Sequence, residues 1–85
     1  MATFLVERYL VGWTRDDIQQ LTDRIAQAQT HFGPLGVRHV HSVVVSSDEM
    51  CLCVFEGPDA DTVARANAGA GFPFDRVVAG DVVIG

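Results

Sequence analysis

Hydrophobic positions along this chain alternate in some segments and recur every three or four residues in others. In the extended segment Thr3–Val11, Phe4, Val6 and Leu10 fall on one face and Leu5, Tyr9 and Val11 on the other, which is the period-2 pattern of a strand. Gly12-Trp13 interrupts it. Thr14-Arg15-Asp16-Asp17 then reads as a helix start, a Thr cap followed by acids where the helix dipole favours negative charge. Ile18, Leu21, Ile25, Ala28 and Phe32 recur at helical spacing, and Gly33-Pro34-Leu35-Gly36 ends the run. The β-branched stretch Val37–Val45 predicts a second strand and Met50–Glu56 a third. The short polar link Ser46-Ser47-Asp48-Glu49 makes them an antiparallel hairpin. Gly57-Pro58 leads to Asp59, a natural cap for a helix reaching about Ala68 with Ala60, Val63, Ala64 and Asn67 on its inner face. Gly69-Ala70-Gly71-Phe72-Pro73 stops that helix, and Arg76–Ile84 predicts a fourth strand.

The order β-α-β-β-α-β predicts an α+β, ferredoxin-like domain spanning residues 1–85. Right-handed crossovers place both helices on one face of a four-stranded antiparallel sheet, with the first and third strands central. The hairpin register decides which side chains meet. A three-residue loop usually wants Gly in the left-handed position, and Ser46–Glu49 offers none, so a four-residue loop is expected. Val45 then faces Met50, Val43 faces Leu52, His41 faces Val54 and His39 faces Glu56. Val40, Ser42, Val44, Cys51, Cys53 and Phe55 lie under the helices. His39, His41, Val43, Val45, Met50, Leu52, Val54 and Glu56 share the outer face. That face is too apolar for a wetted sheet, and a second copy of the chain is the expected cover.

Composition narrows the partners. The chain carries six Arg and no Lys against eleven acids, a net charge of −5, so it lacks the basic footprint of a nucleic-acid or anionic-membrane binder. No apolar run approaches the ~20 residues of a membrane span. The first residues have no basic segment and reach Glu7 early, so no signal peptide is expected and the cytoplasm is the expected location. Cys51 and Cys53 sit two apart on one strand face, with Cα atoms roughly 6.6 Å apart. Their parallel Cβ vectors argue against a disulfide, so two buried thiols in a reducing compartment are expected. Nothing basic adjoins them in sequence to lower a thiol pKa.

Candidate chemistry gathers on the outer face. Two imidazoles on alternate strand positions, His39 and His41, can converge on one ion, and imidazole suits nickel, zinc and copper. Glu56, opposite His39, would ligate or orient that ring, and Glu7, mid-way along a central strand, is the other oxygen ligand or the partner of an Arg. His31 reads as a solvated residue at a helix C-terminus, Asn67 as a backbone hydrogen bonder and Trp13 as a packing residue. No P-loop, dinucleotide fingerprint, nucleophile elbow or His-Glu-x-x-His occurs.

Phe4-Leu5-Val6-Glu7-Arg8, His41-Ser42, Cys53-Val54-Phe55-Glu56-Gly57-Pro58 and Ala70-Gly71-Phe72-Pro73-Phe74-Asp75-Arg76-Val77 follow one another in an order and spacing that span nearly the whole chain. In these the chain resembles a family of small bacterial ferredoxin-like proteins of unknown function, some of whose members are labelled nickel-binding. The resemblance implies the same fold, homodimers packed through their sheets and a metal site. The expected function is a small dimeric protein binding Ni²⁺ or Zn²⁺, or a small ligand. Two alternatives stay open. One is a cofactor-free enzyme of the dimeric α/β-barrel monooxygenase type, with His41 and Glu7 or Glu56 as an acid/base pair in a cavity between sheet and helices. The other is a non-catalytic assembly module.

Overall fold

Strand β1 (Ala2–Tyr9) pairs antiparallel on both sides, with β3 (Met50–Gly57) and with β4 (Arg76–Gly80), and β2 (Arg38–Val45) closes the sheet beyond β3. The strand order is therefore β2-β3-β1-β4, with the first and third strands central, as the pattern predicts. The computed structural model describes residues 2–81 and 83. The predicted fourth strand is seen as Arg76–Gly80; of its expected extension, Asp81 and Val83 are not in the strand, and Val82 and Ile84 lie outside the described residues.

Helix α1 (Arg15–Gln27) starts on a reciprocal cap: the Thr14 side chain accepts from the Asp17 N–H, and the Asp17 carboxylate accepts from the Thr14 N–H. One continuous helix to Phe32 is expected from the spacing, but the chain turns at Ala28 and resumes as a single turn, α2 (Gln29–Phe32), before a 3-10 turn at Gly33–Leu35. The jog seats Phe32 edge-on against both Phe55 and Phe72. Helix α3 (Ala60–Gly69) is capped by Asp59, whose carboxylate accepts from the Thr62 N–H. The core lies between these helices and one sheet face: Phe4, Val6 and Phe55 against Leu21, Ile25, Phe32 and Val63, with Phe72 of the α3–β4 connection packed among them.

The hairpin has the expected four-residue loop, with Val45 opposite Met50, Val43 opposite Leu52 and His41 opposite Val54. Glu49 supplies the left-handed residue that closes it, at φ 50°. Its carboxylate and carbonyl also receive the N–H groups of Gly12 and Leu10, so the hairpin tip fastens the β1–α1 connection. The register breaks once. Between His39 and His41 β2 carries an extra residue, a β-bulge at Val40. The slip sets His39 opposite Phe55 and brings Arg38 opposite Glu56, which overturns the expected His39–Glu56 pairing. A slip of one residue sends a side chain to the other face, so His39 lies under the helices while His41 stays outside.

Gly57 ends β3 where α3 crosses it. A Cβ there would stand 2.8 Å from Val63 Cγ2, and Val63 is buried and stiff at χ1. Gly57→Ala is expected to cost about 1–3 kcal/mol of stability through overpacking, read as a lower urea midpoint with an unchanged slope.

Candidate functional site

The central strands send an unexpected group into the core. Arg8 alternates with Phe4, Val6 and Leu10 on the helix side of β1, and it is fully buried. Its guanidinium is held on three sides. Nη1 donates to the Pro73 carbonyl at 2.8 Å, Nη2 to Asn67 Oδ1 at 2.7 Å, and Nε to Cys53 Sγ at 3.4 Å. Asn67 is itself fixed, because its amide nitrogen donates to the Val63 carbonyl at 2.9 Å. One side chain thus ties β1 to β3, to α3 and to the connection before β4.

Around Cys53 the donors converge. Ser42 Oγ lies 3.1 Å from the sulfur, His39 Nε2 lies 3.0 Å from Ser42 Oγ, and Cys51 Sγ lies 3.8 Å from Cys53 Sγ. Both cysteines are free thiols and fully buried. One arrangement of protons satisfies the whole set: His39 Nε2–H donates to Ser42, the Ser42 hydroxyl to Cys53, and the Cys51 thiol to Cys53. The hydrogen bond from Cys51 is the largest influence holding Cys53 below the ordinary thiol value. His39, the Arg8 charge and Ser42 act in the same sense, and burial opposes them. Cys51 is pushed up, first by its hydrogen bond to Cys53 and then by burial. Nothing basic adjoins the thiols in sequence, as expected, but Arg8, 45 residues away, is in contact with Cys53 in space.

The four residues expected to form a metal site are dispersed. His39 turns under the helices, edge-on to Phe55 with ring centroids 5.2 Å apart. Glu56 is taken by Arg38 on the outer face. Glu7 is buried on that face and bonded to Arg76 Nε at 2.6 Å, which matches its expected pairing with an Arg. His41 is exposed and has no hydrogen-bond partner among the described residues. No group of three or more His, Cys, Asp or Glu side chains stands ready for a metal ion among the described residues of one chain. The two sulfurs have a spacing suited to a shared ion, but the guanidinium on Cys53 would set a fixed positive charge beside it.

His31, exposed in the single turn α2, reaches across to the Ala66 carbonyl of α3 at 3.2 Å. A cavity of about 450 Å³ opens between α1, the β1–α1 connection and the hairpin tip, with Leu10, Trp13, Ile18, Val44 and Met50 among its walls. His41, Glu7 and Glu56 do not line it, so the acid/base pair expected of a small enzyme does not form there. Among the described residues no helix is long and apolar enough to cross a membrane.

Folding stability should carry the signature of the thiol pair. Below the ordinary thiol value of 9.0, the unfolded chain binds a proton at Cys53 that the folded chain does not, so stability due to Cys53 rises with pH toward that value. Above it the folded chain keeps a proton on Cys51 that the unfolded chain has lost, and the trend reverses. The stability difference between the wild type and Cys53→Ser should widen from about pH 6 to about pH 8.5, by up to about 1.4 kcal/mol per pH unit. Urea unfolding under reducing conditions checks this, and a flat difference contradicts it.

A family model described as "Nickel responsive protein SCO4226-like" matches residues 4–79. The fold is similar to the crystal structure of SCO4226 from Streptomyces coelicolor A3(2), with a TM-score of 0.76 at 21% identity, over 98% of this chain and 100% of that one. At that identity the likeness speaks for the fold. No curated protein gives a significant match.

Proposed function

Because the chain belongs to the SCO4226-like family of nickel responsive proteins, we propose that it binds a divalent transition metal, nickel first and zinc as the alternative, as a cytoplasmic homodimer joined through the open faces of its two sheets. The observation that carries this is the state of His41. Of the three imidazoles, His31 is engaged by a backbone carbonyl and His39 by Ser42, whereas His41 is free of hydrogen bonds among the described residues. It stands on the open face beside Val43, which is 49% exposed, and opposite Val54. Imidazole is a fitting donor for nickel.

One chain supplies too few donors for a closed shell, so the site is completed by a second copy. Two His41 rings, one from each protomer, would hold the ion, with water or a carboxylate released from its Arg partner filling the remainder. Such a metal acts as a reversible cross-link between protomers. The apolar strip of Leu5, Val43, Leu52, Val54 and Val78 supplies the hydrophobic part of the contact. A copy of the same face is its natural cover, because a two-fold pairing is self-complementary. The two free thiols suit a reducing compartment.

Titration calorimetry with nickel on tag-free protein tests the proposal, alongside sedimentation. The wild type should bind about one nickel per two chains, with the modest affinity of an incomplete protein shell. His41→Ala should abolish binding and His31→Ala should spare it. Val43→Asp should give monomers that have lost the metal. A wild type that is monomeric at micromolar concentration, or nickel binding that survives His41→Ala, contradicts the proposal.

A further inference from the structure

Metal binding through His41 gives the buried cluster on the opposite sheet face no task. Arg8 is fully buried, and a permanent charge in that position needs a counter-charge. Its three partners are the Pro73 carbonyl, the Asn67 amide oxygen and the Cys53 sulfur, and no carboxylate pairs with it among the described residues. Cys53 is the partner able to become an anion. From β2, Ser42 reaches the sulfur with His39 behind it; from β3, Cys51 does; from α3, the neutral Asn67 reaches Arg8. Ser42 and Cys51 can donate to Cys53, His39 donates to Ser42 behind it, Asn67 accepts from Arg8, and none of them brings a competing negative charge.

We propose that Cys53 rests as a thiolate paired with Arg8 and is the site at which this protein is oxidised by small peroxides, the product stopping at sulfenic acid. The thiolate attacks one peroxide oxygen. An S–O bond forms, the O–O bond breaks, the sulfur loses two electrons, and the departing hydroxide takes a proton from solvent to leave water. Arg8 Nε and the Ser42 hydroxyl, both already on Cys53 Sγ, are the donors at hand beside the reacting sulfur.

The wall over Cys53 selects the oxidant. On the β2 side the sulfur is covered by two half-buried polar side chains, Ser42 and His39, at the sheet edge, where the neighbouring Val40 and Val44 are 38% and 44% exposed. Access to the sulfur then requires only a shift of these two side chains, which a solute the size of hydrogen peroxide needs less of than a bulky thiol reagent does. Cys51 cannot resolve the product. It lies two residues away on the same strand, with its Cβ parallel to that of Cys53, and a disulfide would have to buckle a central strand of the sheet.

The test uses nickel-free, tag-free wild-type protein exposed to hydrogen peroxide from about pH 6 to about pH 8, with diketone trapping after denaturation and peptide mass spectrometry. One diketone adduct should form at Cys53 and none at Cys51, first order in peroxide. The rate should vary by less than about threefold over the range, whereas an ordinary thiol with the pKa of 9.0 would rise roughly 90-fold. Arg8→Gln should restore the steep dependence. If that variant does not fold, the wild-type profile decides alone. A tenfold rise per pH unit, equal oxidation of Cys51, a Cys51–Cys53 disulfide, or an untouched Cys53 in a solution that consumes free cysteine overturns the proposal.

Discussion

A single buried guanidinium holds this small domain together and sets its internal chemistry. Arg8 is the largest fully buried side chain of the described residues, and its partners belong to the neighbouring strand, to α3 and to the connection that leads into β4. A charge in that position is stabilising only while its hydrogen bonds are satisfied, because desolvation of an unpaired guanidinium exceeds anything the surrounding apolar packing can offset. The need for those partners explains two other features. Asn67 is buried on the inner face of α3 and is aimed at Arg8, and two small thiols occupy β3 where larger apolar residues would otherwise fill the space beneath the helices.

The sheet consequently has two faces with different chemistry. The inner one carries Arg8, Cys51, Cys53, Ser42 and His39 in one connected hydrogen-bond network. The outer one is apolar, edged by the Arg38–Glu56 and Arg76–Glu7 pairs, with His41 left free. The bulge at Val40 is what separates the two histidines. Without it both rings would lie outside and the inner network would lose its outermost donor.

The element order and strand topology were legible in the sequence because they depend on local periodicity, caps and turn residues. Phe4 and Val6, the Thr14–Asp17 cap, Asp59 and the four-residue hairpin all act within a few positions of themselves. The site was legible only in part. The pairing of Glu7 with an Arg could be anticipated from a carboxylate placed among apolar neighbours on a central strand. The bulge could not, since the β-branched run Val40–Val45 gives no Gly or Pro to mark it. Arg8 was missed because its partners lie 45, 59 and 65 residues away in sequence. The available signal was a strong one: an Arg in phase with Phe4, Val6 and Leu10 on the core side of a central strand must find buried partners, and Cys53 and Asn67 are in-phase polar groups on the elements that pack against it.

The ionisation of Cys53 beside Arg8 is the claim on which this account turns, and carbon-13 NMR of protein labelled at the cysteine Cβ reads it directly. Across the neutral range the Cys53 signal should hold the thiolate position and the Cys51 signal the thiol position, with neither moving as pH is lowered toward about 5. Two signals at the thiol position at neutral pH would contradict the buried ion pair.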